Sequence, residues 1–149
     1  MENWYFHQYK ETSTIMNIEL EKLDYKFKYK PLLIGGKAME YYGLRKAGAD
    51  IDLVVHPIDH KVLVDKYPSN IKDLYGDIGV CEFDFEIWNQ ICTFDYQYLK
   101  ANAIEEENYL VISLEMLLFL KALAMEIPKY HKDLELVVKK VLDKAYENY

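Results

Sequence analysis

Two short patterns in this chain carry chemistry. Asp50-Ile51-Asp52 sets two carboxylates two positions apart, and Gly35-Gly36 stands upstream at the end of the apolar run Pro31-Leu32-Leu33-Ile34. On a strand, residues i and i+2 share a face, so Asp50 and Asp52 project together while Ile51 and Leu53 turn to the core. Two like charges held that close favour a cation between them, and hard cations such as magnesium take oxygen ligands. A glycine pair after a strand lets backbone approach a ligand and aim amide N–H groups at phosphate oxygens. A helix expected from Lys37 would turn its positive end to the same phosphates.

A third carboxylate is expected from residues 79–88, where apolar and polar positions alternate. Cys81, Phe83, Phe85 and Ile87 face one way, and Glu82, Asp84, Glu86 and Trp88 the other. Asp84 or Glu86 would complete the ligand set or act as general base on an acceptor hydroxyl, and the sequence leaves that choice open. Nucleotidyl transfer asks for these parts: a triphosphate neutralised and held in line with a hydroxyl, chiefly by metal ions and positioning. Singly, Gly-Gly is most often a turn and Asp-x-Asp a surface face. The order strand, Gly-Gly, helix, Asp-x-Asp strand is far more restrictive.

The elements that must position these residues are legible in outline. Ile15, Ile18 and Leu23 predict an opening helix over residues 12–28. A buried strand over 31–34 breaks at Gly35-Gly36, a helix follows over 37–42, and Gly43 stops it. A second strand over 50–55 closes at His56-Pro57, and a helix over 59–67 takes Asp59 as its cap. Residues 79–88 read as one half-buried strand. Ser113 caps a helix over 114–125 that is apolar nearly all round and therefore expected to be central; Ile127-Pro128 ends it. Leu134, Val137, Val138, Val141, Leu142 and Ala145 trace the stripe of a last amphipathic helix. The expectation is an α+β (α/β) domain over residues 1–149, a small mixed sheet backed by helices with a helical C-terminal part.

Gross properties narrow the function classes. The 149 residues are enough for one domain, and the net charge of −7 argues against a whole-surface nucleic-acid binder. With no signal-peptide pattern and no apolar run near the ~20 residues that span a bilayer, a cytoplasmic protein without membrane contact is expected. Cys81 and Cys92 are expected as buried, reduced thiols. His7, His56, His60 and His131 are too scattered for a metal site. Lys22, Lys26, Lys28 and Lys30 read as a solvated face. So do Lys129, Lys132, Lys139, Lys140 and Lys144, where RNA contact is the minority reading.

Residues 33–55, Leu-Ile-Gly-Gly-Lys-Ala-Met-Glu-Tyr-Tyr-Gly-Leu-Arg-Lys-Ala-Gly-Ala-Asp-Ile-Asp-Leu-Val-Val, resemble the signature of the DNA polymerase beta-type nucleotidyltransferase superfamily. The likeness is to its minimal bacterial and phage branch, with abortive-infection and toxin–antitoxin nucleotidyltransferases. Residues 113–124 and 129–134 resemble a later pattern of that branch. The resemblance implies the nucleotidyltransferase fold, a nucleoside triphosphate (NTP, such as ATP) as donor, Mg2+ or Mn2+, and transfer to a hydroxyl of a small molecule, protein or RNA. It implies Asp50 and Asp52 as metal ligands with Asp84 or Glu86 beside them. Gly35, Gly36, Lys37 and Arg45 would lie at the nucleotide, and Lys121 at the donor phosphates. Many relatives carry a small hydroxyl residue between the arginine and the first aspartate, where this chain has Lys46-Ala47-Gly48-Ala49. The alternative is an inactive relative of the fold that binds a nucleotide or a protein partner.

Overall fold

The computed structural model describes residues 16–148. After a 3-10 turn at Leu20–Leu23 the chain forms β1 (Leu32–Ile34), α1 (Gly35–Tyr41), β2 (Ile51–Val54) and α2 (Pro57–Lys66). Then come β3 (Ile71–Leu74), β4 (Asp77–Glu82), β5 (Phe85–Trp88), β6 (Gln90–Ile91), β7 (Phe94–Asp95) and α3 (Tyr96–Leu99). The last elements are β8 (Ile104–Glu105), β9 (Leu110–Val111), α4 (Leu114–Leu123) and α5 (His131–Ala145). The fold is α+β: a mixed seven-stranded sheet in the order β3-β4-β5-β2-β1-β9-β8, a small β6-β7 ribbon, and five helices.

Register places the chemistry. β1 runs antiparallel to β2 with Ile34 opposite Asp52, and β2 runs parallel to β5 with Asp52 opposite Glu86. β4 pairs antiparallel with β5, Cys81 opposite Glu86. Directly paired residues share a face, so Ile34, Asp52, Glu86 and Cys81 form one row across four strands. The alternate residues Leu33, Leu53, Val80 and Ile87 are fully buried in the core. Polar residues in the centre of a sheet are thus confined to one row of one face.

Several expectations change in physical detail. Residues 79–88 are not one strand but the end of β4 and all of β5, reversed at Phe83-Asp84, where Phe83 takes φ 54° and stands exposed. Alternation continues through a two-residue reversal, so periodicity alone could not reveal it. Of the opening helix, the described part is only the Leu20–Leu23 turn, flanked by Glu19 and Asp24 at left-handed φ; Ile15 and His7 lie outside the described residues. α2 is capped by the ring of His56, which accepts from Ile58 N at 3.1 Å. Asp59 is instead fully buried and accepts from Tyr25 Oη, Lys28 N and Tyr29 N.

Ser113 does cap α4, its Oγ accepting from Met116 N at 3.1 Å. That helix is not central, however: Leu114, Leu117 and Lys121 are buried while Leu123 is exposed. On α5 the stripe splits, with Val137 in the core but Val138 and Leu142 exposed. Cys81 and Cys92 are free thiols, as expected, but Cys81 is half-buried and Cys92 exposed. Among the described residues no helix is long and apolar enough to cross a membrane.

His60 ties α2 to the sheet, its Nε2 lying 2.8 Å from the Ile78 carbonyl. Burial pushes its pKa below the ordinary 6.5, despite the opposing pull of that carbonyl. The neutral ring is the folded form, so its stabilising contribution is complete above about pH 6.5 and is lost as pH falls below that value. Wild-type melting temperature should therefore decline on acidification below about pH 6.5 more steeply than that of His60→Gln. Parallel pH profiles for the two proteins would refute this.

Candidate active site

Gly35 is more tightly enclosed than Gly36, Gly48, Gly76 or Gly79. It has φ +65°, a region that L side chains avoid, and a Cβ built there would lie 2.4 Å from Asp52 Oδ2. The turn after β1 is therefore pressed directly against the second aspartate. α1 starts at Gly35 itself, two residues before the expected Lys37. Gly36 follows, 3.5 Å from the Arg45 guanidinium as measured from a Cβ built on it. Gly35→Ala should lower stability by at least about 1 kcal/mol from the left-handed backbone alone, more because Asp52 must move. A urea midpoint equal to wild type would show that the contact is slack.

Asp52 and Glu86 face each other across the β2–β5 pairing and share a hydrogen bond. Burial foremost, then that bond and the charges of Glu86 and Asp50, push Asp52 up to about 7. Burial would raise Glu86 also, but hydrogen bonds from Lys72 and Asp52 outweigh it and hold Glu86 below the usual carboxylate range. Asp50 is exposed just ahead of β2, and it lines the same cleft as Asp52. Asp84 sits exposed in the β4–β5 reversal, and its charge is felt at Lys22, whose main partner is Glu19. Of the two candidates for a third carboxylate, Glu86 is thus the one brought to Asp52. Asp84, expected as a metal ligand, stays at the hairpin reversal, its carbonyl accepting from Ile51 N at 2.8 Å, and is not among the residues that line the cleft.

Two cations complete the cleft. Arg45 makes a fork to Asp133, Nε to Oδ1 at 2.6 Å and Nη2 to Oδ2 at 2.8 Å. Lys121 Nζ meets the same Oδ2 at 2.8 Å and lies 5.1 Å from the Tyr130 ring centroid. Burial pushes Asp133 upward, but the hydrogen bonds from Arg45 and Lys121 prevail and hold it below its ordinary value. Lys121 is therefore a buried, paired lysine. It does not snorkel to solvent. Lys37, expected at the nucleotide, is half-buried on α1 and outside the cleft lining. Asp133 is the residue that the sequence reading did not single out. Its one signal is an acid at a core position of an amphipathic helix, four residues before Val137.

The cleft holds about 320 Å³ and brings together Gly35, Gly36, Arg45, Asp50, Asp52 and Lys121, with Leu117, Leu120 and Tyr130 as its apolar side. Among the described residues no three acid, histidine or cysteine side chains stand gathered as a finished metal cage. The donor set nevertheless suits a hard divalent cation: Asp50 and Asp52 line the cleft, Glu86 stands opposite Asp52 in the next strand though outside that lining, and all three offer only oxygens. Compared with protein-family models, with curated proteins and with solved structures, the chain matches none.

Proposed function

We propose that this protein is a metal-dependent nucleotidyltransferase that moves a nucleoside monophosphate from an NTP to an acceptor hydroxyl. The observation that carries the reading is the contact of Gly35 with Asp52. It joins a phosphate-cradling turn and a carboxylate platform in one cleft, which Arg45 and Lys121 also line. Asp50, Asp52 and Glu86 would hold Mg2+ or Mn2+, which when bound neutralises the triphosphate and polarises the phosphorus under attack.

The chain's own residues then divide the work. Gly35 and Gly36 let the donor approach the backbone closely, while Arg45 and Lys121 face its phosphate oxygens. Glu86 lies beyond Asp52 as seen from Gly35, so the acceptor hydroxyl arrives on that side and gives its proton toward Glu86. The hydroxyl oxygen bonds to the α-phosphorus, the bond to the β-phosphate oxygen breaks, and pyrophosphate leaves. Incubation with each labelled NTP, Mg2+ and cell extract tests the reading. A labelled acceptor that disappears with EDTA is expected; NTP binding without any product would favour a non-catalytic binding module. That second reading draws on the residues 46–49, which lack a hydroxyl side chain.

The acceptor class, whether small molecule, protein or RNA, belongs to the same experiment. A cytoplasmic location is part of the proposal, since NTP and Mg2+ are supplied there.

A further inference from the structure

Glu86 is anchored through one of its two oxygens. Lys72 Nζ donates to Oε1, and the Cys81 thiol approaches the same Oε1 at 3.9 Å. Neither touches Oε2. Lys72 comes from the outer strand β3, where it pairs with Gly79 of β4, and Gly79 in turn pairs with Trp88 of β5. Lys72, Gly79 and Trp88 therefore form the row next to Cys81, Glu86 and Asp52 on the same face. Gly79 carries no side chain, and the Trp88 ring lies over it, its carbons 2.9 Å from a Cβ built there. Lys72 thus reaches past β4 to a carboxylate two strands away.

The terminal torsion of a glutamate is broad and nearly two-fold, so packing alone does not fix which way its carboxylate plane turns. A charged donor on one oxygen does. We propose that Lys72 is a positioning residue that pins Oε1 of Glu86 from outside the cleft and so presents Oε2 to Asp52 and to the acceptor side. The proposal rests on the nucleotidyltransferase reading for its catalytic consequence, but the anchor itself is a statement about geometry. β3 is an exposed outer strand, which makes Lys72 replaceable without disturbing the core.

The test uses Lys72→Met and Lys72→Arg. In the transfer assay Lys72→Met should lose kcat by on the order of tenfold to a hundredfold, the scale of a small misplacement at the reacting centre, with KM for the NTP changed by less than about twofold. Lys72→Arg should restore most of kcat, because the guanidinium can replace the ammonium at Oε1. Full kcat in Lys72→Met would overturn the proposal, as would an equal loss in both variants. A crystal structure of Lys72→Met reads the anchor apart from any activity. Expected is a Glu86 carboxylate rotated from Asp52 or split between two conformers, and an unmoved carboxylate overturns the anchor even if the wild-type protein proves to transfer nothing. An inactive wild type with a rotated Glu86 in Lys72→Met would sink the nucleotidyltransferase reading and leave the anchor standing.

Discussion

Asp52→Asn is expected to reduce nucleotide transfer by on the order of a thousandfold or more while leaving the chain folded. The aspartate stands at the meeting point of Gly35, Asp50 and Glu86, and an amide there offers one neutral oxygen in place of a charged carboxylate. A cation placed by carboxylates contributes several kcal/mol to stabilising the charge that develops at the phosphorus, and each 1.36 kcal/mol is tenfold in rate. The stability effect runs the other way. Burial raises Asp52 above the usual aspartate value of about 3.9, so the folded protein without metal binds a proton that the unfolded chain releases. A carboxyl raised in this way stabilises the fold below about pH 4 and loses that contribution as pH climbs through about 7. In EDTA, the wild-type melting temperature should therefore drop between about pH 4 and 7 relative to Asp52→Asn, and added Mg2+ should raise it at pH 8 in the wild type alone. A variant with full activity, or one destabilised at pH 8, would remove Asp52 from the centre of the site.

Asp133→Ala should be the most damaging single change to the fold. The carboxylate is 4% exposed and neutralises two cations from different elements, Arg45 and Lys121. Lys121 is itself nearly buried, so the truncation leaves an ammonium in a low-dielectric setting without its ion-pair partner. Breaking a buried pair by removing one partner costs about 3–5 kcal/mol; a fall in melting temperature of about 6–20 °C is expected for a domain of this length. Arg45 is one third exposed and recovers water, which places the effect nearer the lower end. Asp133→Asn keeps the hydrogen-bonding shape and should fall between. Thermal unfolding of the three proteins settles the order; equal melting temperatures for Asp133→Ala and wild type would show that the two cations hold themselves in place.

The chemistry of this site was more legible in the sequence than its construction. Gly35-Gly36 and Asp50-Ile-Asp52 are local patterns whose meaning depends only on strand periodicity and glycine geometry, and both patterns do line one cleft. Glu86 was half legible: alternation placed it with Asp84 on one face, and only the reversal at Phe83 separated them. That reversal has phenylalanine at its first turn position, and its one turn-forming residue, Asp84, fitted the alternation equally well. Asp59 looked like a cap and Asp133 was passed over for one common reason. A buried carboxylate is recognised by its donors, and those of Asp59 come from residues 25–29 and those of Asp133 from residues 45 and 121. Contacts between such distant positions leave no periodic trace. The near-uniform apolarity of α4 likewise overstated its burial, since composition counts residues and not the neighbours available to cover them.

The bridge from Arg45 to Asp133 spans 88 positions of the chain, and it has a consequence for the order of events during synthesis. A domain generally folds as a unit during synthesis. β1, α1, β2 and β5 emerge early, with the phosphate turn and all three site carboxylates. Arg45 at that moment has no Asp133 to hold it, and Lys121 has not yet been made. Until the first turn of α5 is out, the nascent polypeptide carries the acidic groups and Arg45 without the carboxylate that gathers the two cations. The cleft is thereby completed only once the segment through Asp133 has been translated, a timing imposed by one carboxylate and its two partners.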